Sequence, residues 1–298
     1  MKKLYHYAPM LILTIFTSLF FVLMQLTLFG NSTVFDPAYY VEVITDSGSD
    51  DALYDEINAY FSQLSKATGI PQETYMKSFT KEKVSKAARK LTIGSMEYVC
   101  GEIAEKPVSG FDYTEYEADV TDYIEKYSEE NKIEKDDEYY KLIDNTLRVS
   151  EKKVDSLFDV MMTERLASSG VTSISRKVVP KLNILIIGSI VLVAIFLGMM
   201  WYVDRHHPFD MLYWGGAVLF SSAGLLLIPT LYIRFTSYFD GLFLDQKSVY
   251  YAITGALYGV TDRIILVDLI LLAVGILLIV FAQIVHNIRI RNAHRRED

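Results

Sequence analysis

Residues 182–203 read LNILIIGSIVLVAIFLGMMWYV, an unbroken run without one charged side chain. A bilayer core about 30 Å thick is crossed by roughly 20 helical residues rising 1.5 Å each, so this stretch is long enough to span it. Working outward, three further stretches meet the same length. Residues 8–29 are uncharged, with Thr14, Thr17, Ser18, Gln25 and Thr27 as polar breaks; residues 209–232 start beside Asp210; residues 264–285 contain Asp268. Buried helices of soluble proteins are rarely this long and apolar four times in one chain. The expected fold is therefore an all-α membrane protein: four transmembrane helices, with an α-helical extracytoplasmic domain inserted between helices 1 and 2.

Lys2 and Lys3 before the first apolar run also fit a secretory signal. The run is longer than a usual signal core, and Leu28-Phe29-Gly30 is a poor A-x-A exit, so an uncleaved signal anchor is the better reading. Orientation follows from Lys and Arg near the span ends. Lys2, Lys3, Arg289, Arg291, Arg295 and Arg296 all lie on one side if the number of spans is even, and that side is then cytoplasmic. No Lys or Arg occurs between Gly30 and Lys66, although Arg176, Lys177 and Lys181 run against the rule. Trp201, Tyr202, Tyr213 and Trp214 flank the turn 204–208, where an aromatic belt belongs. The expected order is a cytoplasmic amino terminus (1–7), a span (8–29), an extracytoplasmic domain (30–180) and a span (182–203). A cytoplasmic turn (204–208), a span (209–232), an outer aromatic loop (233–263), a span (264–285) and a basic cytoplasmic tail (286–298) complete it.

Residues 31–180 hold 29 Asp and Glu against 18 Lys and Arg, net −11, within a chain total of −8. Such a domain is a poor partner for nucleic acid or for an anionic lipid surface. Cys100 is the only cysteine, so no intramolecular disulfide forms and the domain relies on its own packing, which fits a Gram-positive exterior. The sequon Asn31-Ser32-Thr33 lies almost against the membrane and is discounted.

The alternation Tyr39-Tyr40-Val41-Glu42-Val43-Ile44 predicts a short extended stretch. Beyond it the period is helical: Leu53, Ile57, Tyr60, Phe61 and Leu64 share a face after caps at Ser49-Asp50-Asp51, and Gly69 ends that helix. Pro71 opens the next one, and Thr80 or a neighbour caps a third carrying Val84, Ala87, Ala88, Leu91, Met96 and Val99. Residues 101–110 read as a loop and Thr114-Glu115-Tyr116-Glu117 as a capping box. The spacing of Ile143, Leu147, Val154, Leu157 and Met161 predicts a helix over about 136–167, nearly 50 Å if unbroken. It reads as one amphipathic bundle helix or, alternatively, a stalk towards the second span. Ser168-Ser169-Gly170 and Pro180 are expected to break it. The domain's 12 tyrosines either pack its core or line a groove for peptide or glycan. Residues 233–263, rich in Phe and Tyr, read as an interfacial stretch or a re-entrant lid.

No zinc-protease, nucleophile-elbow, phosphate-loop or dinucleotide motif occurs. Ser78-Phe79-Thr80-Lys81 matches S-x-x-K, a spacing common by chance. None of His6, His206, His207, His286 and His294 lies in the acidic block, so no metal or other cofactor is expected. The candidates for intramembrane polar function are Asp268 and Gln25. An ionisable group inside a span is costly unless paired or wet. Asp268 is expected near the outer end of its span, reaching water or pairing with Arg263 or Arg234. Gln25, Ser221 and Ser222, with Gly215, Gly216 and Gly224, read as helix-packing devices.

The stretch Thr68-Gly69-Ile70-Pro71-Gln72-Glu73, continuing to Phe79-Thr80-Lys81-Glu82-Lys83-Val84, resembles a segment of uncharacterised four-transmembrane proteins of clostridia-like Gram-positive bacteria. That resemblance implies four spans with a helical extracytoplasmic domain after the first, and no known activity. In layout alone the chain is also similar to the permease subunit of the cell-division ABC transporter family, but its short cytoplasmic parts leave little for an ATPase to grip. The function expected is non-enzymatic. The bilayer and an unidentified membrane or envelope protein are the partners, and a membrane subunit of an ABC-type transport or cell-envelope complex is the alternative.

Overall fold

The computed structural model describes residues 2–205 and 209–294, and every regular element among them is helical. In chain order these are α1 (Lys2–Phe29), α2 (Pro37–Asp46), α3 (Ser49–Thr68), α4 (Gln72–Met76), α5 (Lys81–Cys100), α6 (Thr114–Glu130), α7 (Asp137–Phe158), α8 (Thr163–Ser168), α9 (Val171–Val203), α10 (Asp210–Phe235) and α11 (Lys247–His294). A π-helical turn, Gly30–Val34, follows α1, and a 3-10 turn, Tyr238–Gly241, follows α10. The chain forms two compact units. The apolar unit comprises the chain up to Phe35, Val178–Gly241 and the chain from Tyr258; the other, the polar unit, comprises Asp36–Lys177 and Leu242–Leu257.

Among the described residues, four helices are long and apolar enough to cross a membrane: Tyr7–Val34, Val171–Val203, Asp210–Phe235 and Lys247–Arg289. Their surfaces are apolar on the outside as well as where they pack: Ile184 is 70% exposed and Ile228 73% exposed. A helix hydrophobic all round belongs in lipid or in a large core. Met10, Met200, Trp214 and Val218 form the buried cluster of this unit. The approach of α10 to α11 depends on two glycines. A Cβ at Gly216 would stand 2.7 Å from the Gly275 carbonyl oxygen, and one at Gly275 2.9 Å from the Gly216 oxygen. Small residues at a crossing let backbones meet where no hydrophobic effect draws helices together.

The polar unit has an aromatic core. Phe61 stacks on Tyr75 at 5.2 Å between ring centroids, and Phe79 stacks on Phe111 at 4.7 Å. Tyr116 meets Phe79 edge-on. The hydroxyls of two buried tyrosines are satisfied: Tyr75 shares a hydrogen bond with Thr68 Oγ1 at 2.9 Å, and Tyr116 shares one with Ser150 Oγ at 2.6 Å. Tyrosines 75 and 116 therefore pack the core, and a buried ring with a bonded hydroxyl carries no wet groove.

Several boundaries differ from the sequence expectation. Residues 39–44 are helical, not extended. Asp36 caps α2 by accepting from the Ala38 amide, Pro37 fits its first turn, and Tyr39, Val43 and Ile44 are buried. The capping box at Thr114 is replaced by Asp112, whose carboxylate accepts from both the Thr114 amide and its hydroxyl. The long helix ends at Phe158, so there is no 50 Å rod; α7 alone is about 33 Å long. Asp159 turns back to accept from the amide and hydroxyl of Thr163, and Met162 takes a left-handed φ of 51°. Such side-chain bonds compete with helix continuation. Conversely, Pro180 does not end α9, which runs through it from Val171 to Val203. The stretch expected as a loop over 233–263 is helical from Lys247 onward. Val249, Ala252 and Ala256 recur at three and four residues and are buried in the polar unit, a helical face hidden among conspicuous aromatics. Glu56 caps its first turn, accepting from the Ser248 amide at 3.1 Å and hydroxyl at 2.7 Å. Tyr39 donates to the Ala256 carbonyl at 2.6 Å.

Candidate intramembrane site

Helix α1 carries a buried polar face. Thr14, Thr17, Ser18 and Gln25 recur at helical spacing and are all buried. The hydroxyls find acceptors on their own helix. Thr14 donates to the Met10 carbonyl, Thr17 to that of Leu13 and Ser18 to that of Thr14, at 2.6–2.8 Å. Ser18 and Ser221 of α10 also share a hydrogen bond at 2.6 Å, and Ser222 bonds to the Leu219 carbonyl. Gln25 is too long for this local solution, and it reaches across to α11. Its Nε2 donates to Oδ1 of Asp268 at 2.7 Å.

Asp268 is 0% exposed and Gln25 is 4% exposed. The two residues named separately from the sequence are thus one pair. The partners anticipated for Asp268 are placed otherwise. Arg234 pairs with Asp262 at 3.0 Å and lies over the Tyr258 ring. Arg263, five residues before Asp268 on the same helix, is turned about 140° away from it. After the one hydrogen bond is made, two oxygens of the pair have no donor: Gln25 Oε1 and Asp268 Oδ2. Buried polar atoms are bonded in the great majority of cases, so two orphans on one pair of side chains call for a physical cause.

Positions in the two spans carry a signal that could have exposed the pair. Gln25 stands four residues before the end of the stretch 8–29, and Asp268 four residues after the start of 264–285. In helices crossing in opposite directions these are equal depths, about 6 Å from the same end. Each is also the strongest polar group within its stretch.

The remaining candidates do not assemble into reactive sites. Ser78 Oγ donates to Asp119 Oδ2 at 3.2 Å, while Lys81 Nζ is held by Asp51 Oδ1 at 2.7 Å. The S-x-x-K serine and amine thus serve different carboxylates. Among the described residues no three His, Cys, Asp or Glu side chains gather as a metal-binding group. His206, His207, Pro208, Arg295 and Arg296 lie outside the described residues. A surface groove between α3 and α5 is lined by Asp50, Asp51, Lys81, Lys86 and Arg89. Within it Asp50 accepts from Ser85 at 2.7 Å and lies 3.7 Å from Arg89, and Asp51 pairs with Lys81 at 2.7 Å.

In the polar unit, burial and then the neighbouring Glu117 carboxylate raise the Glu151 carboxyl above its usual range. Burial and the hydrogen bond to Asp155 raise the Tyr113 hydroxyl, and burial pushes the Cys100 thiol up to about 11. A thiol held in that form is a poor nucleophile at neutral pH. No protein-family model, curated protein or solved structure matches the chain.

Proposed function

We propose that this is a multi-pass protein of a Gram-positive cell membrane with both termini in the cytoplasm. Its polar unit stands on the extracytoplasmic side and binds a protein or peptide partner, and it does no chemistry of its own. The observation that carries the partner reading is on α7. Leu142 is 66% exposed and Val149 53% exposed, and seven residues apart they share one face. Ile133, from the adjoining turn, is exposed too. Apolar side chains that share one face of a helix and stand out from an acidic surface fit an interaction site.

The extracytoplasmic placement is supported by the lysine and arginine distribution, including an account of one dissenter. Arg176 lies over the Tyr98 ring at 4.9 Å and donates to its carbonyl at 3.2 Å. A cation engaged within a folded domain is a weak topology signal. The family resemblance adds the layout: its residues fall on the end of α3, on α4 and on the start of α5.

A photoreactive amino acid at Leu142 of the full-length chain, irradiated in intact cells, tests the reading. A discrete crosslinked band is expected from Leu142 and is expected to be absent when the same group replaces Asp144, exposed on the opposite side of α7. No band from Leu142, or the same bands from both positions, overturns partner binding through this face.

A further inference from the structure

We propose that Asp268 and Gln25 form a proton-binding site inside the membrane: the carboxyl binds one proton on Oδ2, and that O–H donates to Gln25 Oε1. With the existing bond from Gln25 Nε2 to Asp268 Oδ1 at 2.7 Å, the proton closes a doubly hydrogen-bonded clasp between α1 and α11. The inference rests on unit placement in lipid and is independent of any partner at α7.

The donor count leads there. A carboxylate and a primary amide joined by one N–H···O bond leave one oxygen on each without a donor, and both of these are buried. One proton repairs both deficits, because the acid becomes a donor and the amide oxygen its acceptor. Turning the amide over does not remove the need: the two oxygens would then face each other and the proton would be obligatory. In a hydrocarbon surround, where no water offers a bond, the neutral acid is also the form that can be held without a counter-cation.

No cation is bonded to the pair among the described residues. The stretch 8–29 of α1 contains no charged residue, and the cations of α9 all precede its residue 182: Arg176 is held at Tyr98, and Lys177 and Lys181 are exposed. On α10, Asp210 lies in the first turn and Arg234 in the last, the latter paired with Asp262. On α11 itself, Asp262 and Arg263 precede Asp268 by six and five residues on other faces, and His286 lies five turns beyond. Tyr232 on α10 and Tyr258 on α11 carry ionisable hydroxyls towards that end of their helices. A sodium ion fits less well. It takes several oxygen ligands, and the buried hydroxyls of α1, on Thr14, Thr17, Ser18 and Thr27, are each bonded to a carbonyl of their own helix. Loss of the proton would set Oδ2 and Oε1 acceptor to acceptor, so the clasp is closed by protonation and loosened by its loss.

The test uses the full-length chain in phospholipid vesicles and an apolar carbodiimide. That reagent adds the O–H of a protonated carboxyl across its C=N bond, with no leaving group, and the adduct is located by peptide mass spectrometry. Labelling at Asp268 is expected, falling tenfold or more from acidic to alkaline pH and unchanged by sodium. Gln25→Leu, which deletes the partner and keeps the surround, is expected to shift the pH of half-labelling. Asp268→Asn, which mimics the neutral acid, is expected to abolish the adduct while retaining the insertion of the parent chain. An alkaline-carbonate wash separates the premises. If the chain stays with the vesicles and Asp268 is unlabelled at every pH, or is protected by sodium, the proton site is wrong. If the wash releases the chain, or a water-soluble carbodiimide labels Asp268 equally well, the lipid placement itself fails and the proton site falls with it.

Discussion

Replacing Gly216 by alanine should force α10 and α11 apart. Its new Cβ would meet the Gly275 carbonyl oxygen at 2.7 Å, and ordinary contact starts near 3.4 Å, a shortfall of 0.7 Å. The reciprocal change, Gly275→Ala, meets the Gly216 oxygen at 2.9 Å, a shortfall of 0.5 Å. Both obstacles are backbone atoms, so no rotamer change relieves them. Overpacking of this kind costs about 1–3 kcal/mol. The geometry also forbids simple addition. Once the helices have separated for one methyl group, most of the room for the other exists, and the double variant should cost little more than the worse single. Trp201 and Trp214 are the chain's two tryptophans, and both belong to the apolar unit. Trp214 is buried. Tryptophan emission of the full-length chain in mild-detergent micelles, titrated with dodecyl sulfate, therefore follows this unit alone. Each single variant should unfold at lower dodecyl sulfate than the parent, and the double close to Gly216→Ala. Singles that unfold with the parent, or a double equal to the sum of both, would refute the close-approach argument.

Phe61→Ala deletes the ring against which Tyr75, Phe79 and Tyr116 pack and should cost about 3–5 kcal/mol; limited proteolysis should then cut residues 36–177, while Tyr127→Ala on the surface stays resistant. Glu151 is raised in the folded state, so the fold binds its proton more tightly than the unfolded chain. Its favourable contribution is complete below the unfolded value, about 4.3, and is lost as pH rises through the folded one. Glu151→Gln should flatten that decline, an effect under about 1 kcal/mol for a partly exposed group, read from unfolding midpoints across a pH series. Cys100, buried and with its thiol pushed up to about 11, should resist alkylation at neutral pH until the polar unit is unfolded by denaturant; rapid alkylation of the folded chain would contradict that burial.

The spans were legible because lipid imposes a length: about 20 apolar residues in a row have few other uses. The core faces of α3 and α5 were legible through their 3.6-residue period, from Leu53 to Phe61 and from Val84 to Val99. What escaped were places where a single side chain decides. Asp36 and Pro37 open α2 against an alternating pattern, and Asp159 ends α7 against a heptad-like one. The early start of α11 was hidden because Val249, Ala252 and Ala256 are small beside Tyr250, Tyr251 and Tyr258, and size drew attention away from spacing. Gln25 and Asp268 were each visible as polar residues in apolar runs. Their pairing needs the depth of both helices together, which periodicity along one segment does not hold.

Protease added to intact protoplasts tests the membrane arrangement most directly. The account predicts cleavage within residues 36–177 and an intact carboxyl-terminal epitope placed after Arg291, with the pattern reversed in inside-out vesicles. Cleavage of the epitope with residues 36–177 spared, or recovery of the chain in the detergent-free soluble fraction, would contradict it.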